Sequence, residues 1–310
     1  MLDLPSGWRQ GSGADDQAIP YLAACATPWP ETVLVGLSGA GRYQPLQTPV
    51  PMGKTRTPLA AAPAGRWDNG DGFEIDMGCG DLHSHAPLAV LAGQNRLAVQ
   101  TPLGWEIIQF ACAELIAPNR YRLRQLLRGC LGSDAVMADR LKAGAACVLL
   151  DDRLQPLALA GQAVPEIISL HYGPAALPRT GYGWREKRFA FTRAALRCLS
   201  PVHVKQSYLP DGDLQIGWIR RSRKGGDDFE AVDIPLGEAK EAYRLRLLAD
   251  NSEVMMVETD TANWLFSKAM QARHRHAHPE AKIWQVAIAQ ISATQGAGAE
   301  TIMRLDLPVD

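Results

Sequence analysis

Seven prolines between positions 28 and 63 (Pro28, Pro30, Pro45, Pro49, Pro51, Pro58 and Pro63), with Gly36, Gly39 and Gly41 among them, leave no room for a long helix at the start of this chain. Each proline removes a backbone donor and crowds the preceding turn, so only short extended pieces fit between them. Thr32-Val33-Leu34-Val35 is one such piece. Phe73, Ile75 and Met77 alternate with Glu74 and Asp76, the period-2 pattern of a half-buried strand. Further strands are expected at 88–91, 96–100, 105–113, 120–125 and 146–150, and one short helix at about 133–141, with Ser133 and Asp134 as its caps.

Residues 150–200 mix apolar pieces with turn signals and read as a sheet edge or an extended connection. From Ser200 the alternation sharpens. Val202 and Val204 alternate with His203 and Lys205 and, beyond the turn at Pro210-Asp211-Gly212, Leu214, Ile216 and Trp218 alternate with Gln215 and Gly217. Tyr243, Leu245 and Leu247 then alternate with Arg244 and Arg246, a segment at 253–259 follows, a helical piece begins near Ser267, and strands led by Trp284 and Met303 close the chain. About seven short strands in roughly 110 residues is the size of an immunoglobulin-like sandwich. The core aromatic Trp218, the glycine-rich stretch Ala293–Thr301 and the lack of any cysteine beyond Cys198 resemble a fibronectin type III domain more than an antibody-type one. A length of 310 residues suits two domains, placed at 1–199 and 200–310.

Charge narrows the function classes. Thirty-two basic residues balance thirty-three acidic ones, which argues against binding nucleic acid by counterion release. Neither side of residue 200 departs from that balance. The opening MLDLPSGWRQ lacks the basic and apolar regions of a secretory signal, and no apolar run reaches the ~20 residues of a membrane span. Synthesis in the cytoplasm is expected, with all six cysteines (Cys25, Cys79, Cys112, Cys130, Cys147, Cys198) reduced and mostly buried.

Several short motifs invite a chemical reading. Cys79-Gly-Asp81-Leu-His83-Ser-His85 offers four metal-ligand side chains, but no second ligand pair recurs at a zinc-site spacing, so a turn-rich loop is the better reading. His274, His276 and His278 read as an exposed loop ending in a proline. The basic runs at 220–226 and 184–189 are interrupted or followed by Glu186, Asp227, Asp228 and Glu230, which favours charged hairpin loops over a phosphate-binding patch. Gly36-Leu-Ser-Gly-Ala-Gly41 matches no phosphate-binding or nucleophile motif. No catalytic, cofactor or metal residue is assigned, and the reading is of a binding or assembly protein rather than an enzyme, although a carboxylate-pair hydrolase acting on envelope polymers stays open.

Longer segments carry a resemblance. Trp105-Glu-Ile-Ile-Gln-Phe-Ala-Cys-Ala-Glu-Leu-Ile-Ala-Pro, then Arg120-Tyr-Arg-Leu, Leu126-Leu-Arg-Gly-Cys-Leu-Gly-Ser-Asp134 and Val148-Leu-Leu-Asp151 are similar to the C-terminal part of the large baseplate protein of gene transfer agents and related siphophages. Pro28-Trp-Pro30, Pro58–Asp68, Ser200–Val204, Gly212–Arg221 and Pro235–Tyr243 follow the same family's order. The resemblance implies a mainly β architecture, a β-rich phage-tail-type domain followed by the fibronectin type III-like sandwich. It implies a structural role in a virion tail tip, with assembly in the host cytoplasm and host attachment as the function. Expected partners are the hub, the distal tail protein and an upstream baseplate chain, in a homotrimer and without a cofactor. Family members carry hundreds of residues before this region, so a start at Met1 reads as a separately encoded C-terminal module. The alternative is a glycan-binding module that uses exposed aromatics and the loop Gln295–Glu300.

Overall fold

The computed structural model describes residues 1–9, 18–159, 164–225 and 234–307. The chain forms two compact units, Met1–Ala195 and Leu196–Asp310. The first lays down β1 (Tyr21–Leu22), β2 (Val33–Leu37), β3 (Gln44–Leu46), β4 (Met52–Thr55), β5 (Leu59–Ala60) and β6 (Trp67–Asp68). There follow β7 (Phe73–Cys79), the helix α1 (Pro87–Leu91), β8 (Arg96–Thr101), β9 (Gly104–Ala117) and β10 (Arg120–Cys130). β11 (Arg140–Leu141), β12 (Ala146–Leu149), β13 (Gln155–Pro156), β14 (Ile167–Pro174) and β15 (Arg185–Ala190) complete it.

Six of these strands close on themselves. The antiparallel order β10-β7-β4-β12-β8-β9 returns from β9 to β10, which makes a barrel with no free edge in the ring. Its interior is filled by alternate residues: Phe73, Ile75 and Met77 from β7, Leu97 and Val99 from β8, Ile108 and Phe110 from β9, Leu123 from β10 and Cys147 from β12. Gly72 permits the closure. With φ at 70° it lies so close to β10 that a Cβ would stand 1.8 Å from the Leu123 carbonyl oxygen, so no other residue fits there. The intervening residues Ala98, Ile107 and Val148 are also buried, because Leu2, Leu4, Trp8 and Val50 pack on the barrel's outer wall. A second sheet, ordered β15-β14-β2-β3, buries Val33, Val35, Leu46, Ile168 and Leu170 on one face.

Several local expectations are corrected here. Residues 88–91 are not a strand: Pro87 opens α1, its fixed φ suiting the first turn, and Val90 alone is buried while Leu88 stays exposed. The helix expected at 133–141 is a single turn of 3₁₀ helix, Ser133–Val136. Ser133 does not cap it, since its hydroxyl accepts from the Ile107 N–H and donates to the Cys130 carbonyl, while Arg140 and Leu141 leave to pair with β5. The run at 184–189 is no hairpin loop, because residues 185–190 pair along β14 as an edge strand. Cys25 and Cys79 are joined in a disulfide, which the expectation of six reduced thiols missed. The segment after β1 runs beside the ends of β4 and β7, held by the Val50 N–H to Ala24 carbonyl bond and by the Thr27 hydroxyl on the Gly78 carbonyl, and this brings the two sulfurs together. Cys112, Cys130, Cys147 and Cys198 take part in no disulfide.

The second unit contains β16 (Val202–Tyr208), β17 (Leu214–Ile219), β18 (Tyr243–Ala249), β19 (Ser252–Thr259), β20 (Asn263–Phe266), α2 (Lys268–Ala277), β21 (Trp284–Ser292) and β22 (Gly296–Arg304). They form two sheets, β16-β17-β20 and β19-β18-β21-β22, the three-plus-four antiparallel arrangement of a fibronectin type III-like sandwich. Their shared core contains Leu214, Ile216, Trp218, Tyr243, Leu245, Phe266, Trp284, Val286 and Ile288, with the Trp218 ring edge-on to Tyr243 at 5.1 Å. On the outer face Arg244 meets Glu258, and Arg246 bridges Glu253 and Glu300 across three strands.

Two readings change in this unit. His274 and His276 lie inside α2 and His278 ends it, so the tract is no loop; Ser267 caps the helix start by accepting from the Met270 N–H. The stretch Gln295–Glu300 is mostly strand, since Gly296–Glu300 begin β22 and pair with β21. Asp227, Asp228 and Glu230 lie outside the described residues. Arg223 instead pairs with Glu238 at 3.0 Å, and Arg220 donates to the carbonyls of Ile234 and Pro235.

Candidate functional site

The motif at 79–85 does not gather ligands. Cys79 is spent in the disulfide, the Asp81 carboxylate accepts a hydrogen bond from the Tyr121 hydroxyl at 3.0 Å, and His83 and His85 are exposed on an irregular segment. The hydroxyl–carboxylate contact and burial together push the Tyr121 phenol above its usual range, burial being the larger cause. Among the described residues no three metal-ligating side chains converge. His274 and His276, two apart on a helix, face in different directions.

The one fully buried ion pair among the described residues sits in the barrel. Arg128 Nε and a terminal nitrogen grip both oxygens of Glu106 at 2.7 and 2.9 Å, and both side chains are 1% exposed. The other terminal nitrogen donates to the Ala60 carbonyl at 2.6 Å, and the Gly129 N–H donates to Glu106. Each guanidinium nitrogen has an acceptor, so the pair ties β9 and β10 to the Ala60 carbonyl of β5 and leaves little for a substrate.

A different arrangement faces outward on the sheet β15-β14-β2-β3. Tyr172 opposes Arg185 and Val35, which sets Gly173 across from Trp184 and sets His171 across from Gly36 and Glu186. Gly36 lies against the backbone before Tyr43: a Cβ there would stand 2.2 Å from the Arg42 carbonyl oxygen and 3.0 Å from the Tyr43 ring. Gly173 lies under Trp184, where a Cβ would stand 2.5, 2.6 and 2.8 Å from three atoms of the indole. Those near-equal distances mean that one face of the indole lies flat on the strand; the ring is partly exposed, and the His171 ring sits 4.8 Å from it. Its N–H donates to the Leu177 carbonyl at 3.1 Å. Tyr43 stands edge-on to Trp184 at 5.3 Å, its hydroxyl 2.8 Å from His171 Nδ1, and the Arg179 guanidinium lies over the Tyr43 ring at 4.5 Å. Tyr182, two residues before Trp184, is fully exposed. None of this was read from the sequence. The available signal was two glycines inside strand-like runs, Gly36 after Val35 and Gly173 after Tyr172, since a strand glycine often marks a close approach.

The family model described as "Rcc01698-like, C-terminal" matches residues 50–148, a family associated with gene transfer agents. The matched span runs from the start of β4 almost to the end of β12 and so takes in all six strands of the closed ring. No curated protein matches the chain. Among solved structures, the rat CD45 extracellular region, domains d3-d4, aligns at 9% identity over 39% of this chain and 55% of that one, with a TM-score of 0.23. The chain thus spans about half of that fragment. Chicken CNTN1 FN1-FN3 domains align at 8% identity over 88% of this chain and 90% of that one, with a TM-score of 0.22.

Proposed function

We propose that this protein is a structural component of a phage-like or gene-transfer-agent-like tail tip, working through assembly contacts and host attachment rather than catalysis. The observation that carries the reading is the match of residues 50–148, which covers the closed barrel as a unit. The physical character of that unit supports it. A ring without free strand edges, tied by a disulfide and an interior ion pair, opens locally only at high cost, as a part exposed outside cells requires. The proposed partners are the hub, the distal tail protein and an upstream baseplate chain, in a homotrimer. No helix among the described residues is long and apolar enough to cross a membrane.

The test is electron microscopy of purified particles carrying an epitope-tagged copy of the chain. Label at the distal end of the tail is expected; label on the capsid, or none on particles, overturns the proposal. A second reading, recognition of host surface glycan, is favoured by the outward aromatic arrangement on the first unit.

A further inference from the structure

We propose that the outer face of the β15-β14-β2-β3 sheet is a saccharide-binding platform, on which the apolar C–H face of a pyranose ring stacks against the indole of Trp184. This rests on the host-attachment reading and names the site and the ligand class for it.

The argument begins with the two glycines. Gly36 and Gly173 sit inside neighbouring strands, where glycine weakens the strand through its larger loss of chain freedom. Rings that served only to hold the β14–β15 hairpin would gain more from β-branched partners opposite them. That holding role is already filled on the inner face, where Ile168, Leu170, Tyr172 and Phe189 pack with Val33 and Val35. What glycine adds at Gly173 is flatness: with no Cβ beneath it, the partly exposed Trp184 ring lies on the strand, whereas Gly36 admits the Arg42 carbonyl, 2.2 Å from where its Cβ would stand.

That face is also held still. The indole N–H is occupied by the Leu177 carbonyl and the ring is wedged by the edge of Tyr43, so stacking would cost little side-chain freedom. Polar groups border the ring on the same side of the sheet. The His171 ring lies 4.8 Å from the indole with Nδ1 engaged by the Tyr43 hydroxyl, and Glu186 faces His171 across the strand pair. Arg188 and Ser169 follow as the next pair in register. An aromatic ring with an imidazole beside it, a carboxylate next in register and the Arg179 guanidinium over the neighbouring Tyr43 matches a pyranose, apolar on its axial C–H face and ringed by hydroxyls. The mixed signs at the rim and a net charge of −1 give no field for a nucleic-acid backbone.

The experiment uses the full chain on an array of bacterial capsular, O-antigen and peptidoglycan-derived saccharides, followed by titration of the strongest ligand. Trp184→Ala is expected to weaken binding by about tenfold or more, while Trp184→Phe, which keeps a flat ring, stays within about threefold. Gly173→Ala should lower affinity as well, since its methyl displaces the indole. If Trp184→Ala does not fold, Trp184→Phe still decides, because it must abolish the saccharide-induced change in tryptophan emission while binding persists. Wild-type chain that binds no saccharide, affinity unchanged in a folded Trp184→Ala chain, or an emission change that survives in Trp184→Phe, each overturns the proposal. Tail-tip label on particles together with a blank array would overturn the platform alone; saccharide binding with label on the capsid would overturn the tail-tip reading alone.

Discussion

Opening the Cys25–Cys79 bond is expected to destabilise the first unit by about 4 kcal/mol. The bond spans 54 residues of sequence, and confining a loop of that length removes about 14 cal/mol/K from the denatured ensemble, or about 4 kcal/mol at 25 °C in the chain-entropy account. Little should be lost on the native side. The Val50 N–H still meets the Ala24 carbonyl at 2.9 Å, and the Thr27 hydroxyl still meets the Gly78 carbonyl at 3.0 Å, so the strands keep their places without the bond. The assay is urea unfolding of the oxidised chain, the reduced chain and the Cys25→Ser/Cys79→Ser variant, with hydrogen exchange and mass spectrometry resolving each unit. A slope of about 2–3 kcal/mol per molar urea for a unit this large turns 4 kcal/mol into a midpoint drop of about 1.3–2 M. The second unit is the internal reference. Its one cysteine, Cys198, is free and buried, so its midpoint should stay where it is. Coincident midpoints for the first unit would refute the reasoning, as would six alkylated thiols in unreduced, denatured protein.

Glu106→Gln or Arg128→Met, each leaving one buried charge without its partner, should cost about 3–5 kcal/mol by chemical unfolding, and replacing both with apolar residues of similar volume should cost far less. Phe266→Ala, which empties a fully buried site stacked on Trp264 at 5.1 Å, should cost about 3–5 kcal/mol in the sandwich. Cys147, whose thiol burial pushes up to about 12, should resist iodoacetamide at pH 8 in the native chain, while the partly exposed Cys112 reacts first; peptide mapping reads the order. His274 is held below the usual imidazole range, by burial first and then by Arg273 and His278. The unfolded chain therefore binds that proton more readily, so the second unit should lose stability as pH falls from about 6.5, and His274→Gln should flatten the profile in thermal melts.

Alternation in the sequence located β7, β16, β17 and β18, each with one face on a core and the other toward water, and β21, although Ala287 and Ala289 on its second face are buried too; of β22 it reached only Met303 and Arg304. It was uninformative where both faces are covered. Along β8, Leu97, Ala98 and Val99 are all buried, the odd positions in the barrel and Ala98 against the N-terminal segment, so the run carries no period to read. β10 misleads for another reason. Tyr121 and Leu123 face inward before Gln125, Leu126 does so after it, and the positive φ of 51° at Gln125 marks the switch. A pattern that changes phase within a strand hides Arg128 among apparently solvent-facing arginines, which is how the buried pair with Glu106 escaped notice. The ring closure has no local signature at all, since the pairing of β9 with β10 is a plain hairpin whether or not the far strands complete the circle.

The outward aromatic face was illegible for a related reason. Its members come from four separate stretches, Gly36, Tyr43, His171 with Gly173, and Trp184, and only the registers of β2, β3 and β14 with β15 bring them onto one side of a sheet. In the sequence, Trp184 reads as the first residue of a charged run, and each glycine as turn punctuation. Register reverses both meanings. A one-residue slip between β14 and β15 would turn the tryptophan to the opposite face and set a side chain beneath it. The two strand glycines therefore have a consequence that composition cannot express. Both cost local strand stability: at Gly36 the return is the close approach of the Arg42 carbonyl, and at Gly173 it is an indole lying flat on the strand, which a hairpin built for stability alone has no reason to keep.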